Sequence, residues 1–216
     1  MPTWANHFRI ADRLLDKISA LNKEYFVIGN IAPDCGIPDK EHGVYRPPTG
    51  ATHFTKDYYY SKKTDCDYNY IFNNYIKNES DIKKKSFFIG YYVHLWTDCY
   101  YANKLFLPIE KEYGDFRKNK ELRQRVAAER NNIDFLFFSE NISPSFELFK
   151  ACGDFWESYP EWYKNGEISL QIKNIVSFYT KNKPVAMEYR YLTPKKMAEF
   201  VSGAGAEREK ILTKII

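Results

Sequence analysis

The chain has 216 residues, enough to bury a substantial core, and is read as one domain, 1–216. Hydrophobic residues make up 44% and aromatics 18%, with 18 Tyr and 16 Phe, which excludes a disordered chain and predicts a ring-rich interior. The 32 basic against 28 acidic residues leave a net charge of +4, too small an imbalance for a dedicated polyanion-binding surface, so no nucleic-acid partner is expected.

Cys35, Cys66, Cys99 and Cys152 form no Cys-x-x-Cys pair and are too sparse for a disulfide-stapled domain, so they read as reduced thiols. Arg9, Asp12, Arg13, Asp16 and Lys17 interrupt the N-terminal region, which therefore lacks the apolar run of a signal peptide. No window is long and apolar enough to span a bilayer, and a cytoplasmic location is the expectation.

In chain order, His7, Ile10, Ala11, Leu14, Leu15, Ile18 and Leu21 recur at helical spacing and predict a helix over 5–22 with His7 on its apolar face. Tyr25–Asn30 is a short buried run. Pro33, Gly36, Pro38, Gly43, Pro47, Pro48 and Gly50 then break regular structure, giving a loop that extends to about Ser61. A loop this long is uncommon inside a folded domain unless it lines a site, and it carries Asp34, His42 and His53.

A second helix is predicted near 64–77 and a long one near 81–106, with Phe87, Tyr91, His94, Leu95 and Asp98 on its inner face. The run Lys83-Lys84-Lys85 reads as its solvated start. Further helices are predicted near 119–138, 145–152, 167–181 and 194–215, the last capped by Thr193 before Pro194. Strand-like alternation is absent. The expected architecture is all-α, a multi-helix domain whose long irregular loop between the first two helices lines a metal site.

Three of the four histidines, His7, His53 and His94, sit in this framework, and none follows His94. His94 and Asp98 are four residues apart on a helix, so they share a face and can grip a single divalent ion. Taken singly, a buried histidine is more often a hydrogen-bonded core residue, and a His-x-x-x-Asp pair is often no more than a side-chain contact. Three histidines and two acids, Asp34 and Asp98, at inward or loop-lining positions suit zinc or a similar transition metal.

Met1-Pro2-Thr3-Trp4 with His7, Gly29-Asn30-Ile31-Ala32-Pro33-Asp34, Thr52-His53-Phe54 and Gly90-Tyr91-Tyr92-Val93-His94-Leu95-Trp96-Thr97-Asp98 resemble the zinc-dependent phospholipase C family over roughly residues 1–100. That family is similar to the P1-type nucleases in its all-α fold and in the zinc cluster that cleaves phosphodiesters. The resemblance implies that Asp34, His53, His94 and Asp98 bind one zinc and that His7 joins Asp98, as a bridge, at a second. It also implies that Asp34 is ligand, general base or both, that a metal-bound hydroxide cleaves the ester, and that the substrate is a small phosphodiester or a phospholipid head group.

Two departures stand out. Secreted family members expose an N-terminal Trp whose amine binds metal, whereas Trp4 here follows Met1-Pro2-Thr3. A further zinc of the family takes two later histidines and a glutamate, and this chain has no later histidine. Asp134 and Glu129 on the helix near 119–138 are the acids to test as substitutes. A hydrogen-bonded core acid is the plainer reading of Asp134, and a solvated face that of Glu129.

Cys35 and Cys99 adjoin Asp34 and Asp98, but on a helix the neighbour of an inward residue points about 100° away, so Cys99 reads as packing. Trp4, Trp96 and Phe54 read as core, with one ring available to wall a cleft. The two other function classes consistent with the residues are a non-catalytic metal-binding helical domain and a P1-like nuclease.

Overall fold

The computed structural model describes residues 2–39, 41, 43–55 and 66–215, and it is largely helical. Helix α1, Trp4–Leu14, buries Ala5, Phe8, Ile10, Ala11 and Leu14 together with Asn6 and His7. It stops well short of residue 22, although Leu15, Ile18 and Leu21 are buried too. The reason lies in the next element: Asn22 accepts from Tyr25 N as the N-cap of α2, Lys23–Gly29, so the chain must reverse before it. Apolar periodicity recorded burial there rather than a continuous helix.

The stretch expected to be an irregular loop contains more order than its proline and glycine content suggests. After α2 come a 3-10 turn, Ala32–Asp34, and two short antiparallel strands, β1, Ile37–Asp39, and β2, Val44–Arg46, with Pro38 opposite Tyr45. Gly43 takes φ 66° between them, a conformation that favours glycine. A one-turn helix, α3, Thr49–Thr52, follows, and Phe54 at φ 51° ends it directly after His53. The expectation of no strands is thus corrected by this small pair.

A short helix, α4, Tyr68–Ile71, runs into a π turn, Phe72–Ile76. The centre of the fold is α5, Ile82–Tyr101, which Asp81 caps by accepting from Lys83 N at 2.8 Å and Lys84 N at 2.9 Å. Every residue from Ser86 to Asp98 is buried, so this helix is covered on all sides rather than along one stripe.

Helix α2 lies against α5 at two glycines. A Cβ on Gly29 would sit 1.9 Å from the Phe87 carbonyl oxygen, and one on Gly90 would sit 2.1 Å from that of Phe26. Only glycine lets these backbones touch, and the contact sets the distance between the segment carrying Asp34 and the helix carrying His94.

Pro108 has no N–H with which to extend the α5 ladder, and a π turn, Ala102–Phe106, leads into α6, Leu107–Tyr113, a helix the sequence reading did not contain. The remaining helices follow the sequence expectation closely: α7, Lys120–Glu140, α8, Pro144–Ala151, α9, Glu167–Lys181, and α10, Pro194–Ile215. Thr193 caps α10, accepting from Lys196 N at 3.1 Å. Helix α1 packs on α8 and α10, α8 on α9, and one buried cluster extends from Ala5 to Leu212.

Candidate metal centre

His94 and Asp98, one turn apart on α5, are both buried. The His94 Nδ1–H donates to the Asn30 carbonyl at 2.8 Å, at the end of α2. The same Asn30 donates from its side-chain amide to the His7 carbonyl at 2.9 Å, tying α1 to this junction. His7 and His94 consequently lie with their rings stacked, centroids 3.8 Å apart and planes 4° from parallel.

His53, just past α3, is buried, and its Nδ1 meets the Thr49 carbonyl and the Thr52 hydroxyl, each at 2.9 Å. A carbonyl can only accept, so in both His53 and His94 the Nδ1 carries the proton and the neutral ring keeps a lone pair on Nε2. Burial, followed by the proximity of His7, pushes the His94 imidazole well below its ordinary pKa and keeps it neutral.

Those two Nε2 atoms face each other at 3.3 Å. His53 Nε2 also lies 3.4 Å from Asp34 Oδ1 and 3.4 Å from Asp98 Oδ2, while His94 Nε2 is 3.9 and 3.8 Å from the same two oxygens. On the far side of the Asp98 carboxylate, Oδ1 is 3.5 Å from His7 Nε2. Asp98 therefore turns one oxygen to His7 and the other to His53 and His94.

The spacing allows a test of fit. Ligands about 2.0–2.1 Å from a tetrahedral zinc lie roughly 3.3 Å from one another. The separations around His53 match this, and electron-pair donors so close repel unless a cation lies among them. His7, His94 and Asp98 form one group of potential ligand atoms able to hold a metal, and Asp34, His53 and His94 another. Both ring nitrogens of His7 are buried without a hydrogen-bond partner among the described residues, which leaves a lone pair for an ion.

The other acids and thiols considered in the sequence take different places. Asp134 belongs to neither group: it accepts from the Tyr179 hydroxyl at 3.2 Å, and burial, only partly offset by Thr3 and Arg130, raises its carboxyl to about 7. Glu129 is not on a solvated face. It is fully buried and accepts from Arg190, Tyr191 and Leu192 N at 2.8, 2.9 and 2.8 Å and from Arg125 Nε at 3.0 Å, so it anchors a distant chain segment.

Cys35 is buried and points its thiol at the Ile31 carbonyl, and burial together with the adjacent Asp34 holds its pKa well above the usual thiol value. Cys99 packs its sulfur toward the Cys66 carbonyl. His42 lies outside the described residues. Trp96 is core, under the guanidinium of Arg208 at 3.6 Å from its ring centroid, whereas Trp4 lines a cleft.

That cleft is a cavity of about 530 Å³ bordered by Asp34. The side chain of Asp34 is 14% exposed, against 0% for His53 and His94 and 1% for Asp98, so the buried group meets the cavity at this carboxylate. Tyr163 buttresses the turn that carries it, donating to the Ala32 carbonyl at 2.5 Å. Arg130 and Asn131 from α7 and Gln171 and Asn174 from α9, which the sequence reading passed over, also line the cavity. The i, i+3 spacing of Gln171 and Asn174 was the available signal.

Residues 6–101 match the family model for zinc dependent phospholipase C. This segment holds all five converging side chains, His7, Asp34, His53, His94 and Asp98, and ends with α5. The phospholipase C resemblance of the sequence is therefore shown over this segment, and the family is zinc-dependent. No curated protein and no solved structure matches the chain. Among the described residues no helix is long and apolar enough to cross a membrane.

Proposed function

We propose that this chain is a metal-dependent phosphoric ester hydrolase of phospholipase C type. In this reading Asp34, His53, His94 and Asp98 hold one zinc ion, and His7 joins Asp98 at a second. The observation that carries it is the pair of His53 and His94 Nε2 lone pairs held 3.3 Å apart beside two carboxylates, with both Nδ1 protons committed to carbonyls. Burial disfavours a proton on His94, and this reading assigns the neutralising charge to a divalent ion.

When bound, such an ion supplies the charge that acidifies a water and neutralises phosphate oxygens. The chain's own residues do the rest. The carbonyls of Asn30 and Thr49 fix the tautomer and the ring orientation of His94 and His53. Asp34, at the border of the cavity, accepts the proton of the water that attacks phosphorus, or holds the ion, or does both. The buried walls around the other four ligands keep bulk water from screening the charges. The substrate is a small phosphodiester or a phospholipid head group entering through the cavity.

The test is turnover by the purified, zinc-reconstituted chain on bis-p-nitrophenyl phosphate and on phosphatidylcholine. Hydrolysis that a chelator abolishes and that His94→Ala lowers at least a hundredfold supports the reading. Bound zinc without turnover overturns it in favour of a non-catalytic metal-binding domain. Cleavage of single-stranded oligonucleotides alone overturns it in favour of a nuclease.

A further inference from the structure

The cavity beside Asp34 is lined both by apolar groups, Trp4, Pro33 and Pro47 among them, and by a polar wall of Arg130, Asn131, Gln171 and Asn174. Gln171 and Asn174 share a face of α9, and Asn174 Nδ2 donates to Gln171 Oε1 at 3.1 Å. This bond leaves the Asn174 carbonyl oxygen as an acceptor and the Gln171 amide nitrogen as a donor for a ligand. The Asn131 amide makes no side-chain hydrogen bond among the described residues, so it offers both a donor and an acceptor.

Resting on the hydrolase reading above, we propose that this wall is a headgroup subsite for a polyhydroxylated alcohol esterified to the scissile phosphate, of sugar or inositol type, rather than for a quaternary ammonium. A hydroxyl donates and accepts at once, as each amide does, so vicinal hydroxyls can pair all three amides. A quaternary ammonium has no hydrogen-bonding capacity and would desolvate them without replacement. Its charge would also face the like charge of the Arg130 guanidinium, which lines the cavity.

No second carboxylate is available to hold an ammonium. Asp34 is the one acid lining the cavity among the described residues, and it lies 3.4 Å from His53 within the metal centre. The rings of Trp4, Phe178 and Tyr179 meet edge to face, at 6.0 Å for Trp4 with Phe178, and form an apolar floor on which the C–H face of a polyol ring can lie. All four polar side chains come from beyond residue 101, so the subsite belongs to the part of the chain outside the family-matched segment.

The test compares myo-inositol 1-phosphate with phosphocholine by titration calorimetry on the zinc-reconstituted full chain. It also compares kcat/KM on short-chain phosphatidylinositol and phosphatidylcholine, and on glycerophosphoinositol and glycerophosphocholine as soluble sources of the same headgroups. The inositol ligand should bind at least tenfold more tightly, and a preference in either substrate pair supports the subsite. Asn131→Asp, nearly isosteric, should swing the binding ratio at least tenfold toward choline, and Asn174→Leu should weaken inositol phosphate at least tenfold.

Equal or tighter binding of phosphocholine, or a ratio that Asn131→Asp leaves in place, overturns the proposal. The wild-type comparison needs no variant and decides the matter even if one fails to fold. Bis-p-nitrophenyl phosphate carries neither headgroup and reports on the metal centre alone. Its hydrolysis alongside a choline preference sinks the subsite and spares the hydrolase reading, whereas tighter binding of the inositol ligand without hydrolysis of any of these esters does the reverse.

Discussion

His53 and His94 bring their Nε2 atoms within 3.3 Å of each other while each Nδ1 proton is committed to a backbone carbonyl, of Thr49 and of Asn30. Two lone pairs so confined, with Asp34 and Asp98 alongside, store repulsion that a bound cation relieves. Ligand present at a hundred times its dissociation constant stabilises the folded state by about 2.7 kcal/mol. For a chain of this length, each kcal/mol moves Tm by roughly 2–4 °C. Removing zinc with a chelator should therefore lower Tm by about 5–10 °C, as read by calorimetry, and the chelator should leave the Tm of His94→Ala, which removes the ring common to both ligand groups, unmoved.

The glycine contact between α2 and α5 makes a second prediction. Gly90→Ala puts a methyl group where the Phe26 carbonyl and the Asn30 N–H already stand, at 2.1 and 2.7 Å, and neither is a flexible side chain. Overpacking of this kind costs about 1–3 kcal/mol and occasionally more. Because α2 must move, Asn30 is displaced from His94, so urea unfolding should show the loss of stability together with weakened zinc affinity.

Glu129 ties α7 to residues 190–192. Burial by itself raises its carboxyl, but the three backbone N–H donors and Arg125 outweigh that and hold it below its ordinary value of 4.5. A depressed folded pKa contributes stability that is present above the ordinary value and is lost as pH falls through the folded one. Glu129→Gln replaces an acceptor-only group with one whose NH2 meets N–H donors, which should cost roughly 2–4 kcal/mol at neutral pH. Zinc content should stay at the wild-type level, since Glu129 belongs to neither ligand group.

Asp134 gives the opposite pH slope. Burial raises its carboxyl from 3.8 to about 7, so the folded chain binds the proton more tightly than the unfolded one. The associated stability is fully present below the ordinary value and is lost as pH rises through about 7. Chelator-treated Asp134→Asn should remove this decline between pH 4 and 7 in denaturant titrations. An identical slope in the variant would show that another group is responsible.

The five converging side chains were legible in the sequence because their signals are local. His94 and Asp98 are separated by one helical turn, and Gly29–Asp34 and Thr52–Phe54 are short motifs whose order along the chain is enough. The last helix was legible for the same reason, through Thr193 at its cap before Pro194. What escaped depends on contacts between distant residues. Glu129 looks like any helix-surface acid until residues 190–192 arrive at it, and Arg208 looks solvated until Trp96 lies under it. Proline and glycine content marked the stretch from Pro33 to about Ser61 as broken, but it could not say that short strands and α3 form between the breaks.

Metal content per chain tests the central claim most directly. After stripping and reconstitution with zinc, then desalting, mass-resolved analysis of the wild-type chain should find at least one tightly held zinc per chain. His94→Ala, which removes the ring common to both ligand groups, should lose it. A wild-type chain that retains no zinc, or a His94→Ala chain that retains as much as the wild type, would contradict the account.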